Sequence, residues 1–385
     1  MRVLYSFPHV LGSSGIGVTA LNQVLGLTAA GAAVTVVCAA VRGEAPESRT
    51  VRTLTAFGRR VPHRAFGSVE TALRFHDRRA AALLAAGDYD VVHTWPLGAL
   101  ATLRAARARG VLGSREAPNS HTELAYEAAE EETRRVGIAA RRGHSHYPSQ
   151  RRLARELLEY EAAGLILVPS EHVESSFLSR GVSPSKLARH QYGFDPRVFH
   201  ARGRDDDSTR PFTALFLGSA EPRKGLHYAL EAWHASGAAE TGILRIAGRF
   251  SPEYREYLQP MLEHSSVHVL GFVSDTAGLL RSSDVLILPS VEEGSALVSY
   301  EAQASGCIPL VSTSSGAQFV HDREGLLHAP RDVIALADQI QRVRVDSELR
   351  TRLRSAGVAA APSLTWEAAG RRVLQIYSDA LLGRN

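Results

Sequence analysis

Cysteine is almost absent from this chain. Only Cys38 and Cys307 occur, far apart and each inside an apolar run, which excludes a disulfide framework and a cysteine metal site. A reducing, cytoplasmic setting is expected. Long apolar runs are missing too: none approaches the roughly 18 residues that a membrane span requires. The strand-like Val3-Leu4-Tyr5 follows Met1 at once, where a signal peptide would place an apolar stretch. Lysine is the third scarcity. Of 44 basic residues only Lys186 and Lys224 are lysines, so the other 42 are arginines, an arginine and alanine bias expected of a GC-rich bacterial gene. Against 40 acidic residues the net charge is only +4, which calls for no nucleic-acid partner and tolerates a small anionic ligand.

What is present suits a soluble globular protein. The 385 residues exceed one small domain at roughly 150 residues per domain. With 44% hydrophobic and 22% charged residues the chain can bury a sizeable core. Short β-branched runs alternate with helix-length amphipathic stretches from end to end, the pattern of parallel sheets covered by helices on both faces. Strands are expected at 3–6, 34–38, 91–93 and 165–168, with helices over 17–30, 69–86, 98–109 and 171–180. The stretch 195–211, which includes Asp205, Asp206 and Asp207, lacks apolar periodicity and reads as a linker. Beyond it strands are expected at 213–217, 243–247, 267–270, 285–288 and 308–311. The fold class is α/β: two doubly wound Rossmann-like domains facing across a cleft. The division is a first domain over 1–195, a second over 196–364 and a C-terminal helix over 365–385.

Three loops could carry chemistry. Gly12-Ser13-Ser14-Gly15-Ile16-Gly17 lies between the first strand and the first helix, where glycines let backbone amides approach a ligand. Its spacing is not G-x-G-x-x-G, and no acid follows the second strand, so a dinucleotide site is excluded. A ligand loop and a plain tight turn stay equally open on the residues alone. The second loop runs from Gly218 to Gly225 and sets Arg223 beside Lys224 at a strand-to-helix turn. A diphosphate suits such a pocket, and one of only two lysines here favours function over a solvated turn. The third is Pro289 to Ala302, with a helix expected from Ser295, Glu293 in the loop and Glu301 in the second turn. Two glutamates eight apart are ordinarily just solvated.

Glu293 and Glu301 behind Leu288-Pro289-Ser290, followed by Ala302-Gln303-Ala304-Ser305-Gly306-Cys307-Ile308-Pro309, resemble the signature of family 4 retaining glycosyltransferases of GT-B fold. Other segments agree in order: Gly218 to Gly225, Gly271-Phe272-Val273, Tyr192-Gly193-Phe194-Asp195, and Thr365-Trp366-Glu367 with Tyr377. The resemblance implies a nucleotide-sugar donor, UDP favoured, with Arg223 and Lys224 on the diphosphate, Glu301 on the ribose and Glu293 near the donor sugar. The amides of Gly294, Ser295, Ala296 and Leu297 would add dipolar stabilisation, the base would stack near Val273, and Gly218 would open the diphosphate loop. In the first domain Gly15 and Gly17 match the family's phosphate-closing loop, and His121 stands for its active-site histidine, with His93 and His144 as alternatives. No cofactor and no metal is implied, and the acceptor is a hydroxyl compound. The chain departs from the pattern at Ser219, where arginine is usual, at Tyr192, and at Ser295-Ala296.

Asp205-Asp206-Asp207 and His144-Ser145-His146 read as solvated charge and a polar loop rather than metal sites. The stretch 57–66 interleaves arginines with Phe57 and Phe66 and is read as a solvated loop in preference to a membrane contact. Monomer and homodimer stay open. A phosphorylase or epimerase on the same fold, or a sugar-nucleotide sensor, are the rival readings.

Overall fold

The computed structural model describes residues 1–43, 49–57, 59–138, 147–202 and 210–383. His144, His146 and Asp205 to Asp207 lie outside the described residues. Along the chain the elements are β1 (Arg2–Leu11), α1 (Ile16–Ala29), β2 (Ala33–Val41), β3 (Thr50–Arg52), β4 (Thr55–Ala56), β5 (Arg59–Arg60), α2 (Val69–Ala86), β6 (Val91–Thr94) and α3 (Leu100–Ala108). There follow β7 (Leu112–Glu116), α4 (Thr122–Arg135), α5 (Gln150–Ala162), β8 (Leu165–Val168), α6 (Glu171–Leu178) and β9 (Leu187–Arg189). The second half comprises β10 (Thr213–Leu217), α7 (Leu226–Ala235), β11 (Ile243–Ala247), α8 (Pro252–Leu262), β12 (Val267–Gly271), α9 (Thr276–Arg281) and β13 (Val285–Leu288). It ends with α10 (Leu297–Ala304), β14 (Ile308–Ser312), β15 (Leu326–His328), α11 (Val333–Val345), α12 (Ser347–Ala360) and α13 (Trp366–Leu382).

The strands form a seven-stranded sheet in the order β3-β2-β1-β6-β7-β8-β9 and a six-stranded sheet in the order β12-β11-β10-β13-β14-β15, both parallel throughout. Alternation along β1 explains why each sheet is covered on both faces. Val3, Tyr5 and Phe7 pack with Val24 and Leu27 of α1 and Val373 and Tyr377 of α13, while Leu4 points the other way among Ala80, Leu84 and Ala106 of α2 and α3. The second sheet repeats the scheme: Ala214 and Phe216 meet α7 and α11, and Leu215 meets Ala302 and Cys307.

Two compact units result. One comprises Met1–Pro118, Ser149–Tyr192 and Trp366–Asn385, the other Asn119–Pro148 and Gly193–Thr365. The division therefore differs from simple cuts at 195 and 364, because the stretch containing α4 leaves the first unit and packs in the second. The physical cause is Glu132, fully buried on α4, which accepts hydrogen bonds from the Tyr228 hydroxyl at 2.8 Å and from Arg331 Nε. Burial works against its charge, but His227, Arg331 and Tyr228 hold its pKa below the usual carboxylate value. In the first unit, α13 lies on α1 so closely that a Cβ on Gly26 would meet the Trp366 carbonyl oxygen at 2.3 Å, and one on Gly370 the Gly26 carbonyl oxygen at 2.2 Å. Among the described residues no helix is long and apolar enough to cross a membrane.

The candidate donor site

In the six-stranded sheet the strand order reverses between β10 and β13, the place where loops beyond the carboxyl ends of neighbouring strands part and leave room for a ligand. The loops Gly218–Gly225 and Pro289–Ala296 leave from those two strands. Their residues were sixty-odd positions apart in sequence and are brought together here. A single turn of 3-10 helix, Pro222–Lys224, carries the two cations, and Gly225 closes it at φ 70 before α7 begins. Only glycine suits that position, since a Cβ there would meet the Pro289 carbonyl oxygen at 2.3 Å. The Val291 amide completes the join by donating to the Arg223 carbonyl at 2.8 Å.

Arg223 turns inward and is 8% exposed. Its Nη1 donates to the Glu292 carbonyl at 2.6 Å, to Glu292 Oε2 at 3.3 Å and to Glu293 Oε2 at 3.4 Å. Its buried Nε has no hydrogen-bond partner among the described residues. Lys224 is ion-paired through Nζ with Glu293 Oε1. Burial, then the Arg223 guanidinium, pull the lysine pKa well below its usual value, against Glu221 and Glu292, which hold it up. The two cations expected on a diphosphate are thus already matched with carboxylates in the free protein.

Glu301 stands apart. Half-buried on α10, it is raised from 4.5 to about 7 by burial alone, and no neighbouring charge or hydrogen bond contributes. The helix begins at Leu297, two residues later than the sequence suggests, because Ser295 is spent elsewhere: its Oγ meets the Tyr300 hydroxyl at 2.7 Å and donates to the Gly316 carbonyl at 2.9 Å. Glu301 then lies about 6 Å along the axis from the helix start, at about 1.5 Å per residue. The Ala296 amide donates to the Ser315 carbonyl at 3.0 Å, so it is used internally where the resemblance offers it to a ligand. Gly294 is buried between Glu293 and Ser295.

Val273 packs half-buried against the cluster of Leu215, Leu280 and Leu286, while the neighbouring Phe272 is 72% exposed with the Arg249 guanidinium 5.2 Å over its ring. Phe272 and Arg249 were not singled out from sequence, and Gly271-Phe272 was the available signal. Glu292 was missed as well. Buried to 1% exposure, it accepts from the Ser120 amide at 3.2 Å and the Ser120 hydroxyl at 2.8 Å. Ser120 precedes His121, which is 2% exposed and occupies the N-cap position of α4, with Nδ1 3.9 Å from Glu123 Oε2. The adjacency of Glu292 to Glu293 was the only hint.

In the first unit Gly15 is exposed at the start of α1 with φ 78, whereas Gly17 is packed inward, where a Cβ would meet Ser13 Oγ at 2.4 Å. His93 is fully buried: it stacks on Tyr5 at 4.4 Å, its Nδ1 lies 2.6 Å from the Tyr377 hydroxyl, and its Nε2 lies 3.4 Å from Glu116. Burial pulls it down to about 4, so it sits neutral in the core.

The comparisons with known proteins fit this geometry. Glycosyltransferase Family 4 matches residues 13–198, and Glycosyl transferases group 1 matches residues 211–346. The glycogen synthase of Mycobacterium tuberculosis is 29% identical over 185 residues, 46% of this chain and 44% of that protein, so the chain matches less than half the length of that relative. Among solved structures, sucrose-phosphate synthase from Thermosynechococcus elongatus superposes with TM-score 0.72 at 21% identity, covering 99% of each chain. HepE from Anabaena in complex with UDP-glucose gives TM-score 0.69 at 15% identity over 98% of this chain and all of the other. The fold is that of the GT-B glycosyltransferases. The chain therefore carries a glycosyltransferase family 4 domain followed by a glycosyl transferases group 1 domain.

Proposed function

We propose that the protein is a cytoplasmic retaining glycosyltransferase that moves a hexosyl group from a UDP-sugar to a hydroxyl acceptor without a divalent metal. The observation that carries this reading is Glu301: a carboxylate at the strand-order reversal, pushed up to about 7 by burial and without a side-chain partner among the described residues. A group so placed costs folding free energy unless a ligand occupies it, and the paired hydroxyls of a ribose are donors of the right kind. Arg223 and Lys224 meet the diphosphate, Arg223 through its unpartnered Nε. Phe272, more than Val273, offers the base an exposed face. The complex of HepE with UDP-glucose supports UDP as the nucleotide.

In the reaction the anomeric C–O bond breaks and its electron pair goes to the departing β-phosphate oxygen. The acceptor oxygen attacks from the same face, and its proton passes to that phosphate oxygen, so no protein base is required. Charge building on the diphosphate is met by fixed cations in a site of low polarity, an effect worth roughly 3 to 4 kcal/mol per donor. Calorimetry with UDP, GDP and dTDP tests the donor, and acceptor-dependent UDP release in the presence of EDTA tests the transfer. Dependence on orthophosphate instead of an alcohol marks a phosphorylase, epimerised sugar an epimerase, and tight binding without turnover across an acceptor panel a sensor. Full turnover by both Lys224→Ala and Glu301→Ala overturns the site.

A further inference from the structure

The first unit carries a feature that donor chemistry does not use. β4 and β5 form a short antiparallel hairpin, paired Thr55 with Arg60 and Ala56 with Arg59, beside the end of β2. It is held rigidly to the sheet: Leu54 is fully buried with Ala39 and Ala72, its amide donates to the Ala39 carbonyl at 3.1 Å, and the Val61 amide donates to the Leu54 carbonyl at 2.8 Å. At the outer end stands Phe57, fully exposed, with φ 50. A positive φ is unfavourable for a bulky residue, and turn chemistry there favours Asn, Asp or Gly. An exposed aromatic kept in that conformation gains nothing for the fold.

Charge agrees with shape. From Arg49 to Val69 there are five arginines and no acidic residue. Arg59, Arg60 and Arg64 are all exposed, and none forms an ion pair among the described residues. A 3-10 turn, His63–Phe66, returns the chain toward α2, where Phe66 meets Phe75 at 5.4 Å, and Phe75 is itself 40% exposed. Aromatic groups at a protruding tip, ringed by unpaired arginines on a fixed support, match an interface with an apolar interior and an anionic surface. A soluble polyanion would use the arginines and leave Phe57 without a role.

We propose that this hairpin docks the protein on an anionic phospholipid bilayer, with Phe57 entering the acyl boundary and Arg59, Arg60 and Arg64 facing the lipid phosphates. The inference is independent of the donor site. Its test is co-sedimentation of the full chain with vesicles of phosphatidylcholine alone or mixed with phosphatidylglycerol. Binding is expected only to the mixed vesicles and should weaken as salt rises. Replacing all three arginines by serine should lower partitioning about a hundredfold, at about fivefold per charge near the surface. Phe57→Ser should lower it about tenfold or more, and Phe57→Trp should bind with a blue-shifted emission that reports insertion. Circular dichroism and UDP affinity should be unchanged in all of them. Failure of the wild type to sediment with anionic vesicles overturns the proposal, as does equal binding by Phe57→Ser or an unshifted tryptophan, which would indicate a merely ionic contact with any polyanion.

Discussion

Lys224 and Glu293 are ion-paired in the free protein, the lysine through Nζ and the glutamate through Oε1. The pair has opposite consequences for its two members once a diphosphate enters, because the anion competes with Glu293 for the same ammonium. Lys224→Ala should weaken UDP binding about 10- to 100-fold, the worth of hydrogen bonds to a charged group. Glu293→Gln should leave UDP affinity equal or tighter while turnover with a UDP-sugar falls about 100- to 1,000-fold. Calorimetry and UDP-release rates on both variants check this, and parallel losses of affinity would contradict it.

Glu301 makes donor binding pH-dependent. Its pKa of about 7 in the free protein means that below neutrality it carries a proton. Hydroxyl donors stabilise the ionised form, so affinity for UDP should be full above about pH 8 and fall up to tenfold per unit below pH 7. Glu301→Gln should flatten that limb. The folded pKa exceeds the usual 4.5, so the native state binds more protons than the unfolded chain between those values. Stability contributed by the protonated form is therefore full below pH 4.5 and lost as pH rises through 7. A urea series over that range measures it.

Gly225→Ala should cost about 1 to 3 kcal/mol, since the position combines φ 70 with a Pro289 carbonyl oxygen 2.3 Å from any Cβ. The strain falls on the join between the Lys224 turn and the Pro289 loop, so UDP affinity should drop as well. Chemical denaturation and calorimetry on one preparation separate the two losses.

Glu116 behaves in the opposite sense to Glu301. Fully buried in β7, it accepts from His190 Nε2 at 2.9 Å, the Tyr192 hydroxyl at 2.8 Å and Gln23 Nε2 at 3.0 Å. Burial raises its pKa, but the His190 charge and hydrogen bond outweigh that, with help from His93 and Gln23, and hold it to about 2. Its contribution is present above the usual value of 4.5 and disappears as pH falls toward 2. Glu116→Gln should destabilise the protein by roughly 3 kcal/mol at pH 7, as loss of one partner in a buried charged cluster does. Thermal denaturation at pH 7 and pH 3 should show the difference from wild type shrinking in acid.

Much of this was readable in advance wherever burial and sequence pattern coincide. Val285-Leu286-Ile287-Leu288 is apolar throughout and is a buried central strand. β7 escaped because Ser114, Arg115 and Glu116 look like a polar loop, although all are buried. Arg115 is satisfied by Glu156 at 2.8 Å and Glu159 at 3.3 Å, both supplied by α5, and no local pattern announces partners 41 and 44 residues away. The site residues were legible as types at a spacing. Which of them were already paired was not, since the hold of Glu292 on Ser120 and Arg223 spans 172 and 69 positions.

The interleaving of the two units has a consequence for synthesis. α4 leaves the ribosome long before Tyr228 and Arg331, which bond to Glu132 across 96 and 199 positions. At about 5 to 20 residues per second that wait lasts roughly 10 to 40 seconds. During it a helix destined for the later unit hangs from a first unit that must itself wait still longer for α13. Splitting the gene at the linker would therefore strand that helix on the wrong fragment, and a cut that respects the sheets would still divide a folding unit.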